Sequence, residues 1–195
     1  MNAPEFAASF AVGLVVVIVG FVVVSSYNAV MALRQRIDKA WANIDVILKQ
    51  RHDQLPALVA AVRGLMAFEQ DVLIEVTRAR AAYAPTAPIP AQAGVSEQTS
   101  TALRTLFATI ERYPDIKSAG NVADLQAEIE RLEEMISDRR ELYNDQVYRY
   151  NTRIAQVPTN ALAALFGWRP RDFFSADPAD AARPDTSLDA AASRD

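Results

Sequence analysis

The stretch from Val122 to Val157, VADLQAEIERLEEMISDRRELYNDQVYRYNTRIAQV, decides the fold. Its apolar residues Leu125, Ile129, Leu132 and Ile136, then Tyr143, Val147, Tyr150, Ile154 and Val157, recur at steps of three and four, interrupted once at Arg139. That spacing predicts a helix of roughly 54 Å with a single apolar stripe. Asp124, Glu128, Glu130, Glu133 and Glu134 occupy its first half, and Arg139, Arg140, Arg149 and Arg153 its second. The order suits the helix dipole, whose positive end favours carboxylates and whose negative end favours guanidinium groups. Such a helix cannot leave its stripe in water. It demands neighbours of similar length, and short connections make them antiparallel, so the expected fold is an all-α, antiparallel helical bundle.

Toward the N-terminus, a shorter helix is expected from Thr99 to Arg112, with Leu103, Leu106, Phe107 and Ile110 on one face and Tyr113-Pro114-Asp115 ending it. Tyr83 to Gln98 contains three prolines and no periodicity, which predicts a loop over about 84–98, with Ser96, Gln98 and Thr99 marking the next helix start. Before it, Val30, Leu33, Ile37, Trp41, Ile44 and Leu48, then Leu58, Val62, Leu65, Val72, Val76 and Ala79, outline one long amphipathic helix or two segments meeting at a bend. Pro56 lacks a backbone donor and crowds the carbonyl of His52, so a kink is expected there. Toward the C-terminus, Pro158 closes the long helix, and Ala161 to Phe166 allow a further turn or two before Gly167. Residues 175–195, rich in Ala, Asp and Pro, are expected to form a disordered acidic tail.

The first segment has a different solvent. After a short N-terminal segment, 1–5, Phe6 to Val24 (FAASFAVGLVVVIVGFVVV) carries no charge and would span roughly 28 Å, close to the hydrocarbon thickness of a bilayer. Glu5 and the absence of Lys or Arg before it argue against a cleaved signal peptide. A transmembrane anchor over 6–26 is the reading, followed by the bundle over 27–174. Arg34, Arg36 and Lys39 follow the span while only the amino terminus precedes it, which predicts a single pass through the bacterial inner membrane with the N-terminus outside and the domain cytoplasmic.

Composition excludes more than it proposes. A net charge of −4 makes nucleic acid an unexpected partner, because phosphate binding needs a concentrated basic face. With one His and no Cys, an ordinary zinc site is not expected, and no Glu-x-x-His pair offers a carboxylate di-metal site. Glycine-rich phosphate loops and nucleophile elbows are missing too. No catalytic, cofactor-binding or metal-ligating residue is therefore assigned. The acidic run Glu128 to Glu134 reads as a solvated helix face, and His52 as a boundary residue beside the proline.

What remains are candidates for structure or interaction. Asp53 could pair with Arg51 or Lys49, or sit with Pro56 at a bend. Tyr143-Asn144 and Tyr150-Asn151 fall seven residues apart on one face, as core packing with partnered hydroxyls or as a polar layer that sets helix register. Trp41 lies on the first stripe. Phe166-Gly167-Trp168 and Phe173-Phe174, interleaved with Arg169 and Arg171, belong to ALAALFGWRPRDFF, Ala161 to Phe174, the most exposed-looking apolar stretch outside the anchor. It could serve a partner groove, a membrane interface, or a cap folded over the bundle.

These residues resemble the LemA family. The likeness starts at Tyr27-Asn28 and runs through LRQRIDKAWANIDVILKQRHDQLPALVAAVRG, where Trp41, Ile44-Asp45-Val46, Leu48, Arg51, Asp53, Leu55-Pro56 and Leu58-Val59 carry the signature. It continues in EVTRARAA from Glu75, RYPDIK from Arg112, Tyr143-Asn144, Val147, Tyr150-Asn151, Pro158, Asn160, Leu165-Phe166-Gly167 and Phe173-Phe174. The resemblance implies an anchored helical bundle of the bacterial envelope, to which no reaction attaches, and membrane-bound zinc metalloproteases as neighbours of some relatives. The function expected is a non-enzymatic scaffold or adaptor acting on the membrane through a homo-oligomer or a membrane-protein partner. The alternatives are a membrane-shaping protein that contacts anionic lipid, and a ligand or metal sensor.

Overall fold

The computed structural model describes residues 3–63, 69–114 and 119–175, without the side chains of residues 3–8. It is all-helical over those residues: α1 (Ala3–Arg63), α2 (Gln70–Ala81), α3 (Ile89–Ile110), α4 (Gly120–Ala155) and α5 (Thr159–Phe166). Apart from Ser175, the acidic tail expected over 175–195 lies outside the described residues, as do Gly64 and Leu65.

The stripe expected from Val30 to Ala79 is shared between two helices, with Val72, Val76 and Ala79 on α2, and the division does not lie at Pro56, which is inside α1. The helix runs 61 residues, through the apolar segment, the amphipathic segment and Pro56, and stops only at Arg63. Losing one backbone donor at a proline is tolerable where tertiary packing holds the flanking turns. Here Leu55, Leu58, Val59 and Val62, on either side of Pro56, are all buried. α4 spans 36 residues, as its stripe requires, and α5 starts directly after Pro158.

The expected loop over 84–98 is corrected. α3 begins at Ile89, so Ser96 and Thr99, read as helix-start residues, are buried in its interior. The three prolines misled because proline disrupts a helix only past its first turn; Pro88 is the N-cap and Pro90 falls in that first turn. Gln92 then secures the connection, its Nε2 donating to the carbonyls of Pro85 (3.0 Å) and Ala87 (2.8 Å). The helix ends at Ile110 with Glu111 as its cap, close to the expected stop.

The chain divides into two units, residues 1–51 with 130–171 and residues 52–129 with 172–195. In the first, α1 buries Val30, Ile37, Ala40, Ile44, Ile47 and Leu48, and α4 buries Leu132, Ile136, Tyr143, Val147, Tyr150 and Ile154. Two contacts set their register. Trp41 packs edge-on against Tyr143 with ring centroids 5.8 Å apart, and Arg51 reaches Glu133. Ten residues forward on α1 correspond to ten residues back on α4, which makes the pair antiparallel and in step. In the second unit, Leu55, Leu58, Val59 and Val62 meet Leu73 and Val76 of α2, Leu103, Leu106 and Ile110 of α3, and Val122 and Ile129. Burying each such side chain is worth about 1.5–3 kcal/mol, so this cluster carries much of that unit's stability.

Candidate functional site

In the first unit, five of the residues singled out from sequence, Tyr150, Asn151, Phe166, Gly167 and Trp168, converge on one strap. Leaving α4, the chain turns at Pro158 into α5, whose last turn is closed by Gly167 in the left-handed region (φ 66). The Trp168 amide then donates to the Ala163 carbonyl at 2.9 Å, a helix-ending bond that only this reversal permits. From Trp168 to Arg171 the chain has no regular secondary structure, and Tyr150 and Asn151 hold it to α4. The Tyr150 hydroxyl donates to the Arg169 carbonyl at 3.1 Å. The Asn151 side chain pairs with Arg171 twice: its Nδ2 donates to the carbonyl (3.0 Å) and its Oδ1 accepts from the amide (2.8 Å). A primary amide presents a donor and an acceptor side by side, as a peptide group does, and so pairs with both backbone groups of one residue outside any helix. The Arg171 guanidinium lies 3.6 Å from Asp38 on α1.

At the near end of the strap stands a cluster of three rings. Tyr27 of α1 meets Phe166 at 5.4 Å and Trp168 at 5.8 Å, and Phe166 stacks on Trp168 at 5.3 Å. Tyr27 follows the apolar run of α1, whose residues from Phe10 to Val24 are largely exposed, Phe21 to 74%. The helix is long and apolar enough to cross a membrane. Such a surface is stable only out of water, and it marks the chain as a membrane protein.

Further along the same unit lies the pair Trp41 and Tyr143. Tyr143 is fully buried, and Asn144 is half-buried and engaged in contacts of its own. A charge sits in this core too: Arg51 is only 3% exposed, with Nη1 2.5 Å from Glu133 Oε1. Its position is legible in retrospect. Arg51 stands seven residues after Ile44 and seven before Leu58, on the buried stripe, so periodicity alone places it inward.

The remaining candidates do not join the strap. Asp53 and Pro56 are exposed and belong to the second unit. Pro56 forms part of the wall of a groove of about 190 Å³ with Val59, Val76 and Arg80. Larger grooves, each of about 590 Å³, flank α2. Phe173 is half-buried and Phe174 buried. His52 stacks on Tyr83 with centroids 4.6 Å apart, and its Nδ1 is buried with no hydrogen-bond partner among the described residues. Burial first, then the Arg80 charge, push its pKa below 6.5, against a smaller opposing pull from Asp53. Among the described residues no three His, Cys, Asp or Glu side chains come together as a cation site.

The LemA family model matches residues 40–188, most of the chain. The chain belongs to the LemA family. Over 78 residues it is 35% identical to the magnetosome proteins MamQ 2 and MamQ 1 of Paramagnetospirillum magneticum. It is 31% identical to magnetosome protein MamQ of Magnetospirillum gryphiswaldense over the same length. Those alignments cover 40% of this chain and 29% of each relative, so it spans under a third of the curated proteins it matches. Within this LemA chain the strap and its clamp form a polar construction in which Tyr27 and Asp38 take part without having been candidates from sequence, and Arg171 takes part as a clamp residue where sequence placed it only among the aromatics of a possible interface. Tyr27 carried a signal: a tyrosine just beyond an apolar span is a residue of the membrane interface. Asp38 carried none, and nothing in the sequence paired it with Arg171, because a contact between residues so far apart is set by the fold.

Proposed function

We propose that this LemA protein is a non-enzymatic, membrane-anchored scaffold or adaptor, holding a homo-oligomer or a membrane-protein partner at the inner membrane through its helical surfaces. One observation carries the reading. α1 is a single helix whose first part exposes an apolar surface and whose later part supplies the buried face of the bundle. With no flexible linker between them, the anchor and the α1–α4 pair of the first unit are mechanically one body, which suits a protein that positions others. The side chains gathered in the strap pin backbone and fill space. They offer no nucleophile beside a base and no converging carboxylates. A zinc metalloprotease of the membrane is one partner class that the LemA resemblance suggests.

Crosslinking and native mass spectrometry of the full chain in detergent test the proposal. A defined oligomer, or a stoichiometric membrane-protein partner from native membranes, is the expected result. A strict monomer with nothing co-purifying would remove it.

A further inference from the structure

We infer that α5 is a second membrane contact: a short interfacial helix that lies in the headgroup layer beside α1, with Leu165, Phe166 and Trp168 facing lipid. The inference rests on the reading of α1 as the anchor.

Register places α5 first. Val157 lies as far beyond Tyr143 as Tyr27 lies before Trp41, so the antiparallel pairing brings the end of α4 to the level of Tyr27. The other end of α5 returns to the same level, because Phe166 and Trp168 both touch Tyr27. From there the strap turns away from the apolar run, toward Tyr150 and Asp38. α5 is thus an excursion that leaves and rejoins α1 about one helical turn past Val24, where the chain would emerge from hydrocarbon.

Exposure and charge point to lipid as what covers it. Val157 is 82% exposed, Leu165 75% and Phe166 48%, side chains that gain by leaving water. They continue the exposed apolar surface of α1 at the depth where Tyr and Trp are favoured, with apolar rings and polar edges matched to the headgroup layer. No carboxylate occurs from Ile154 to Arg171, whereas the exposed Arg169 follows Trp168 directly and can reach a phosphate. A helix closed by Gly167 and clamped through Tyr150 and Asn151 is held at that depth by the bundle.

The chain has two tryptophans, which makes the test direct. In Trp41→Phe, Trp168 is the sole reporter, and the full chain is reconstituted in vesicles containing lipids brominated near the headgroup or deep in the acyl chain. Trp168 should lose most of its emission to shallow bromine and less to deep bromine, while Trp41 in Trp168→Phe stays bright. Leu165→Glu with Phe166→Glu should abolish the Trp168 quenching. As a second measurement, Leu165→Cys carrying an environment-sensitive dye should emit as in an apolar medium. Phe21→Trp, with both native tryptophans replaced by Phe, reports the anchor separately through deep quenching. Quenched Phe21→Trp with unquenched Trp168 overturns the interfacial helix alone; unquenched Phe21→Trp overturns the anchor and the inference with it. Unquenched Trp168 with disulfide-linked Leu165→Cys dimers would assign this face to a second copy instead.

Discussion

Arg51 concentrates a cost that the surrounding apolar residues do not share. A guanidinium in a core is stable only while its partner is present, and Glu133, 27% exposed, keeps part of its own hydration. Arg51→Ala should therefore destabilise the chain by about 1–3 kcal/mol, below the figure for a fully buried pair. Replacing both partners by Leu should recover most of that loss. Urea unfolding of the full chain in detergent, followed by circular dichroism, checks the difference. His52 makes a second prediction with a definite sign. Burial and Arg80 disfavour its charged form, so the unfolded chain takes up the proton at higher pH than the folded one. Its contribution is present in full above pH 6.5 and is lost as pH falls from there through the lowered folded value. His52→Phe, which keeps a ring against Tyr83, should flatten that part of the stability–pH curve.

Among the elements, α5 and the strap depend on few residues, and each can be removed separately. Gly167→Ala places a Cβ in the left-handed region with no neighbouring atom to blame, so its cost of about 1–2 kcal/mol is backbone strain alone. Loss of protection at the Trp168 amide by hydrogen exchange would report it. Asn151→Leu leaves the Arg171 amide and carbonyl unpaired, worth about 1–3 kcal/mol, and should raise exchange at the Arg171 amide while sparing the middle of α4. α1 and α3 show how far element boundaries follow from residues. Stripe periodicity identified the helices, but the ends depended on whether a proline fell in a first turn, as in α3, or in a well-packed interior, as at Pro56.

For the whole molecule, orientation is the property that any membrane function requires. Because the chain has no cysteine, single-cysteine variants report sidedness without background. Glu5→Cys should react with a membrane-impermeant thiol reagent on intact spheroplasts, and Asp138→Cys only after lysis; the reverse pattern would invert the proposed topology. Hydropathy and helical period, properties of neighbouring residues, were enough to determine the apolar span, the long α4 and the all-α class, and Tyr143 and Tyr150 lay on a stripe that had to be buried. Folding decided what those residues meet. It paired Arg51 with Glu133, turned Asn151 from a possible register layer into a clamp on Arg171, and gathered Tyr27, Phe166 and Trp168 into one cluster. Each of those contacts joins residues far apart in the chain, and no periodic pattern encodes which turn of one helix faces which turn of another.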